Sequence, residues 1–97
     1  MAWQIKYSNH LKERVKTRKL PFGLARDILI FAIERYHDTM THYLVAIGAG
    51  EYEGKTREFA VTYKEDWQRK IVEAITIHPL KQKQRENRIK SGRWLLK

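Results

Sequence analysis

The sequence predicts an α+β domain of order β-α-α-β-β-β: an antiparallel meander sheet with its helices on one face and a basic C-terminal tail. Three observations predict it. Apolar residues alternate with polar ones, or run almost unbroken, over four short β-rich segments. Two stretches between the first and second of these repeat their apolar residues at helical spacing. Turns of two to four residues join the last three segments, too short for anything but antiparallel neighbours.

In chain order, "WQIKY" (3–7) sets Trp3, Ile5 and Tyr7 on one side and Gln4 and Lys6 on the other, which is a short strand. Ser8 offers a helix N-cap, and "NHLKERVKTRK" follows with Leu11 and Val15 as a narrow apolar stripe. His10, Arg14 and either Thr17 or Arg18 line the neighbouring stripe, because residues three or four apart on a helix are adjacent. Pro21 suits the first turn of a second helix over 21–37, in which Leu24, Ala25, Ile28, Leu29, Phe31 and Ala32 make a wide apolar face. This is the buried helix. "THYLVAIGAG" (41–50), "TREFAVTYK" (56–64) and "KIVEAITIH" (70–78) read as strands, with turns at 52–55 and 65–68. Arg57, Phe59, Val61 and Tyr63 share one side of the middle one. The last is apolar on both faces apart from Glu73, as suits a central strand. After Pro79 the tail carries a weak helical pattern with Leu80, Gln84 and Asn87 in line, and Trp94 anchors it to the sheet.

Ninety-seven residues without a linker or internal repeat make one domain, 1–97. A chain of this length buries about two-thirds of its surface, enough for one modest core. It has no cysteine, which excludes disulfide frameworks, thiolate metal sites and cysteine nucleophiles. No signal peptide and no membrane span are expected, and the expected location is cytoplasmic. The net charge is +9, unevenly spread. Residues 1–38 carry eight Lys/Arg against four acids, residues 39–66 three against five, and residues 67–97 nine against two. Basic ends around a slightly acidic middle point to a polyanion or an acidic protein as partner.

No metal or cofactor motif is read. His37 and His42 lack a carboxylate at ligand spacing, and "GAGEYEG" lacks the Lys-Ser/Thr ending of a phosphate loop. Glu51/Glu53 and Glu65/Asp66 fall in turns, where solvated acids need no chemistry. What remains is histidine with arginine. RNA carries its own nucleophile, the 2′-hydroxyl, so cleaving it needs a base, an acid and cations around the phosphorane. Imidazole titrates near neutrality, and guanidinium forks match phosphate oxygens. His78, ending the last strand, and His10, in the first turn of the first helix, are the candidate proton carriers. Arg14, Arg85, Arg88 and Arg93 are the candidate phosphate clamps, and Tyr63 is placed to orient a phosphate or stack on a base. Arg18 and Arg26 read as surface charges, and His37 and His42 as structural. Each candidate has a plainer reading beside this one: His10 as part of the helix cap, Tyr63 as a core tyrosine, the tail arginines as a solvated face.

The segment "YSNHLKERVKTRKL" resembles the opening of a small bacterial domain family of uncharacterised function. Members of that family begin Tyr-Ser-x-His-x-x-x-Arg-x-x-x-Arg, a pattern met here by Tyr7, Ser8, His10, Arg14 and Arg18. "REFAVTYK", "AITIHPL" and "RIKSGRW" extend the resemblance over nearly the whole chain. The family is similar to the BrnT toxins and more remotely to the RelE and ParE toxins, which share a barnase-like sheet-and-helix plan. The resemblance implies the toxin of a type II toxin–antitoxin pair: a metal-independent ribonuclease acting on RNA, free or on the ribosome, and neutralised by an acidic antitoxin. Two other classes fit the same residues. One is a non-catalytic module that grips a nucleic-acid backbone through the basic tail, and the other is a protein-interaction domain that docks an acidic partner.

Overall fold

The computed structural model describes residues 3–97 and is α+β, with three helices and one six-stranded sheet among them. The elements run β1 (Gln4–Tyr7), α1 (Asn9–Thr17), α2 (Leu24–Phe31), β2 (Glu34–Asp38), β3 (Leu44–Tyr52), β4 (Lys55–Asp66), β5 (Ile71–Pro79), α3 (Gln84–Lys90) and β6 (Trp94–Leu96). Their order across the sheet is β1-β5-β4-β3-β2-β6. β2 to β5 form an antiparallel meander, β6 adds antiparallel to β2, and β1 lies parallel to β5. The sheet is therefore mixed, where a wholly antiparallel one was expected.

Ser8 caps α1 as its sequence position predicts: its Oγ accepts from Leu11 N at 3.0 Å. The same hydroxyl donates to the Ile75 carbonyl at 2.7 Å, and Arg18 donates to the Ile77 carbonyl at 3.3 Å. β1 pairs with β5 only from Ile71 to Ala74. Beyond that point α1 takes over the flank of β5 and satisfies its carbonyls. Leu11 and Val15 are buried beneath α1.

The second helix is shorter than expected. It begins at Leu24, with Pro21 in the preceding turn, and stops at Phe31 because Ala32 turns extended. The segment Glu34–Asp38, of which 34–37 were expected as the helix's last turn, is a strand held between β3 and β6. Tyr36 decides this: it is buried and stacks on Trp94 with ring centroids 5.2 Å apart. Helical spacing would turn Tyr36 and Asp38 to different sides, whereas strand spacing buries both. α2 sits close to β3, and a Cβ at Gly48 would lie 2.7 Å from Ile28 Cγ1.

Two cores result, one on each face of the sheet. α1 and α2 cover Ala46, Phe59, Val61, Tyr63, Ala74 and Ile77. Tyr36, Val45, Ile47, Ala60 and Trp94 make a second cluster on the opposite face. α3 packs over this second face and buries no residue of its own. Arg85 fastens it there, with Nε 2.8 Å from Glu34 Oε2 and Nη2 2.7 Å from Glu58 Oε2. Helices thus lie on both faces, where one was expected. The basic tail is folded, with Trp94 anchoring it as expected.

The register of β5 changes phase once. Thr62 pairs with Thr76, but Tyr63 pairs with Ala74, leaving Ile75 unopposed as a β-bulge. Were Ile75 paired in regular register, strict alternation from Ala74 would turn Thr76 and His78 into the core beneath α1. With Ile75 bulged, Ile77 fills that core while Thr76 and His78 face the other way.

Candidate functional site

The end of β5 opens into a cleft of about 550 Å³. Three parts of the chain build its cationic walls. α1 supplies Arg14 and Arg18, the β3–β4 hairpin supplies Arg57, and the segment after β5 supplies Lys81 and Arg88. Thr76 and His78 form the floor, with Tyr52 and Gln84 completing the polar lining. No carboxylate lines it. Arginines at positions 14 and 18 converge because they are one helical turn apart on a helix lying against β5. Tyr52 and Arg57 flank the turn at Glu53–Gly54, whose positive φ values of 53° and 75° close the hairpin tightly. Arg57 lies over the Tyr52 ring, 6.0 Å from its centroid.

His78 is the chemical centre of this cleft. Burial lowers its pKa, and the positive charges of Arg18, Arg88, Arg14 and Lys81 push it down further. The imidazole is therefore neutral at neutral pH. Its Nε2 is buried and has no hydrogen-bond partner among the described residues. A neutral imidazole set among five cations is a proton acceptor facing a ready-made anion site.

Of the seven residues singled out from the sequence, the cleft brings together His78, Arg14 and Arg88. His10 is exposed in the first turn of α1, one turn before Arg14 and outside the lining. Tyr63 is only 2 % exposed and faces the α1/α2 core, where its hydroxyl accepts from Arg35 Nη1 at 3.0 Å. It lines a different hollow. Arg85 is committed to Glu34 and Glu58, and the hydrogen bond it donates to Glu58 and the charge of both acids raise its pKa. Arg93 Nε lies 3.1 Å from each carboxylate oxygen of Asp38. Burial alone would push the Asp38 carboxyl up, but Arg93 and the backbone N–H groups of Met40 and Thr41 outweigh it and hold the pKa below its ordinary value. Arg85 and Arg93 thus hold α3 and β6 to the sheet.

Arg18, Tyr52, Arg57, Thr76 and Lys81 line the cleft without having been candidates. Arg18 alone carried a sequence signal, being one turn beyond Arg14 in the repeated pattern. Arg57 and Tyr52 reach the cleft through strand register, which no local pattern encodes.

His37 and His42 have ring centroids 6.3 Å apart, and no group of three metal-ligating side chains occurs among the described residues. No described helix is long and apolar enough to cross a membrane. Compared with known protein families, curated proteins and solved structures, the chain finds no match.

Proposed function

We propose that the chain is a metal-independent ribonuclease, the toxin half of a type II toxin–antitoxin pair built on the RelE/barnase plan. One observation carries the reading: His78, neutral and half-buried, shares a cleft with five cations and no acid. The 2′-hydroxyl of the bound RNA gives its proton to the His78 imidazole, and its oxygen attacks the adjacent phosphorus. Arg14, Arg18 and Arg88 hold the charge that gathers on the phosphorane oxygens. The bond from phosphorus to the 5′-oxygen breaks, leaving a 2′,3′-cyclic phosphate. The departing oxygen takes a proton from the Tyr52 hydroxyl at the cleft wall. Tyr7, Ser8, His10, Arg14 and Arg18 support the toxin assignment through the resemblance, two of the five being in the lining. A cytoplasmic location and an acidic antitoxin covering the cleft belong to the same proposal.

Incubating the protein with RNA in excess EDTA tests it. Fragments ending in 2′,3′-cyclic phosphate, lost in His78→Ala, are expected. Intact RNA, or cleavage unaffected by His78→Ala, would overturn the reading.

A second reading rests on the fact that His78 is the one imidazole in the lining. A non-catalytic module would use the cleft only to grip phosphates. Steeply salt-dependent binding without turnover would establish it.

A further inference from the structure

A second hollow, of about 400 Å³, shares no lining residue with the His78 cleft. Its walls are apolar. Trp3 and Trp67 meet edge to face at 87° with centroids 4.6 Å apart, so they form two sides of a corner. Lys70 Nζ lies 5.4 Å and 5.3 Å from the two ring centroids and holds the corner by cation–π attraction. Leu29 and Ile30 from the end of α2 close the far side.

The polar groups at this hollow are few and specific. Arg35 is half-buried, and both terminal nitrogens are fixed, one on the Tyr63 hydroxyl at 3.0 Å and the other on the Leu29 carbonyl at 2.6 Å. No described acid lies within ion-pair distance of it. The Tyr63 hydroxyl accepts from Arg35, and no described residue accepts its own proton. Glu65 is the one acid in the lining and lies 3.7 Å from Lys97 Nζ. A rigid, uncompensated guanidinium and a free hydroxyl donor therefore adjoin an aromatic corner. Few convergent polar groups in an apolar hollow of this size are what a small-molecule site requires.

We propose that this hollow binds a small aromatic monocarboxylate, with its ring in the Trp3–Trp67 corner and its carboxylate on Arg35 and the Tyr63 hydroxyl. Arg35 gains the counter-charge that its own fold withholds, and the guanidinium geometry suits a carboxylate. The site stands apart from RNA cleavage and does not depend on it.

Titration with 2-naphthoate, followed by the tryptophan indole N–H signals in proton–nitrogen correlation spectra, tests the proposal. Trp3 and Trp67 signals shift and saturate, with a dissociation constant of order 1 mM or below as expected for about a dozen heavy atoms. Trp94, buried in the other face, serves as the internal control and stays put. The neutral isostere 2-naphthalenemethanol binds at least tenfold more weakly. Arg35→Met abolishes the preference for the acid, and Glu65→Gln strengthens naphthoate binding by removing a like charge. Because Arg35→Met also frees Tyr63 and disturbs α2, Trp67→Ala is the second variant. Trp67 is 64 % exposed, so this change weakens binding while the thermal midpoint holds. Equal binding of acid and alcohol, shifts that include Trp94, or the absence of saturation would overturn the proposal.

Discussion

Ala74 and Ile77, three residues apart in β5, face the same core, and the bulge at Ile75 makes this possible. The phase change turns His78 out of that core and into the cationic cleft. Deleting Ile75 takes out only the unopposed residue, so Ile77 should stay in the core and His78 in the cleft. Circular dichroism should show a cooperative fold, and phosphate binding should persist. A folded deletion variant that no longer binds phosphate would refute this account of the register.

The low pKa of His78 has a defined pH signature. Its folded value lies below the ordinary 6.5 expected for the unfolded chain, chiefly through burial. The stability tied to a neutral His78 is therefore complete above about pH 6.5 and is lost as pH falls toward the folded pKa, since the unfolded chain binds the proton first. His78→Gln should flatten the pH dependence of the melting midpoint in that window. An NMR titration should find the His78 midpoint below 6.5, moving upward when inorganic phosphate is added. RNA cleavage should rise with pH through the same midpoint and then level off.

Arg85 should act on the cleft from a distance. α3 buries no residue and is held to the sheet by Arg85 on Glu34 and Glu58, while Arg88 of the same helix lines the cleft. The side chain is 32 % exposed, so after allowing for solvent screening Arg85→Gln should cost about 1 kcal/mol of stability. KM for RNA should rise more than kcat falls, and the salt dependence of binding should weaken. A variant that melts earlier but keeps its salt slope would leave Arg85 purely structural.

Asp38 should be the costliest surface-adjacent substitution. It is 4 % exposed and receives Arg93 together with two backbone N–H groups. Asp38→Ala leaves the Arg93 charge without its partner and those donors unsatisfied, a loss of about 3 kcal/mol. At about 4–8 °C per kcal/mol the midpoint should fall by more than 10 °C. Because the folded Asp38 pKa is lowered, its stabilisation is present above the ordinary carboxylate range and disappears as pH falls through the folded value. Calorimetry of wild type and Asp38→Ala should therefore converge at low pH.

The cleft arginines should read out as phosphate contacts. Arg14→Ala and Arg88→Ala should each reduce the slope of log affinity against log salt by about 0.7 for a single-stranded oligonucleotide. Neither change should move the melting midpoint by more than about 0.5 kcal/mol equivalent. Unaltered slopes in both variants would remove the cleft from nucleic-acid binding.

The features legible in the sequence are those set by neighbours in the chain. Ser8 caps α1 because its hydroxyl and the Leu11 N–H are three residues apart. Leu11 and Val15 are buried because they share a stripe. The turn at 52–55 follows from Gly54, which tolerates the positive φ found there. β2 was not legible. "ERYHD" continues an apolar helical rhythm, and its strand state comes from β3 and β6, which lie at distant points in the chain. Tyr63 and Arg85 were chosen by residue type, and pairing with Arg35 in one case and Glu34 and Glu58 in the other uses them up internally.

The amino-acid order alone determined the α+β class, the α1 cap, the three later strands and the run of positive charge that follows His78. Local hydrogen bonding and periodicity act within a few residues, and side-chain type is enough to express them. Tertiary structure decided the mixed sheet, the second packed face and the membership of the cleft. Strand register and ion pairing join residues remote in sequence, and their energies depend on which partner arrives, a property of the assembled chain.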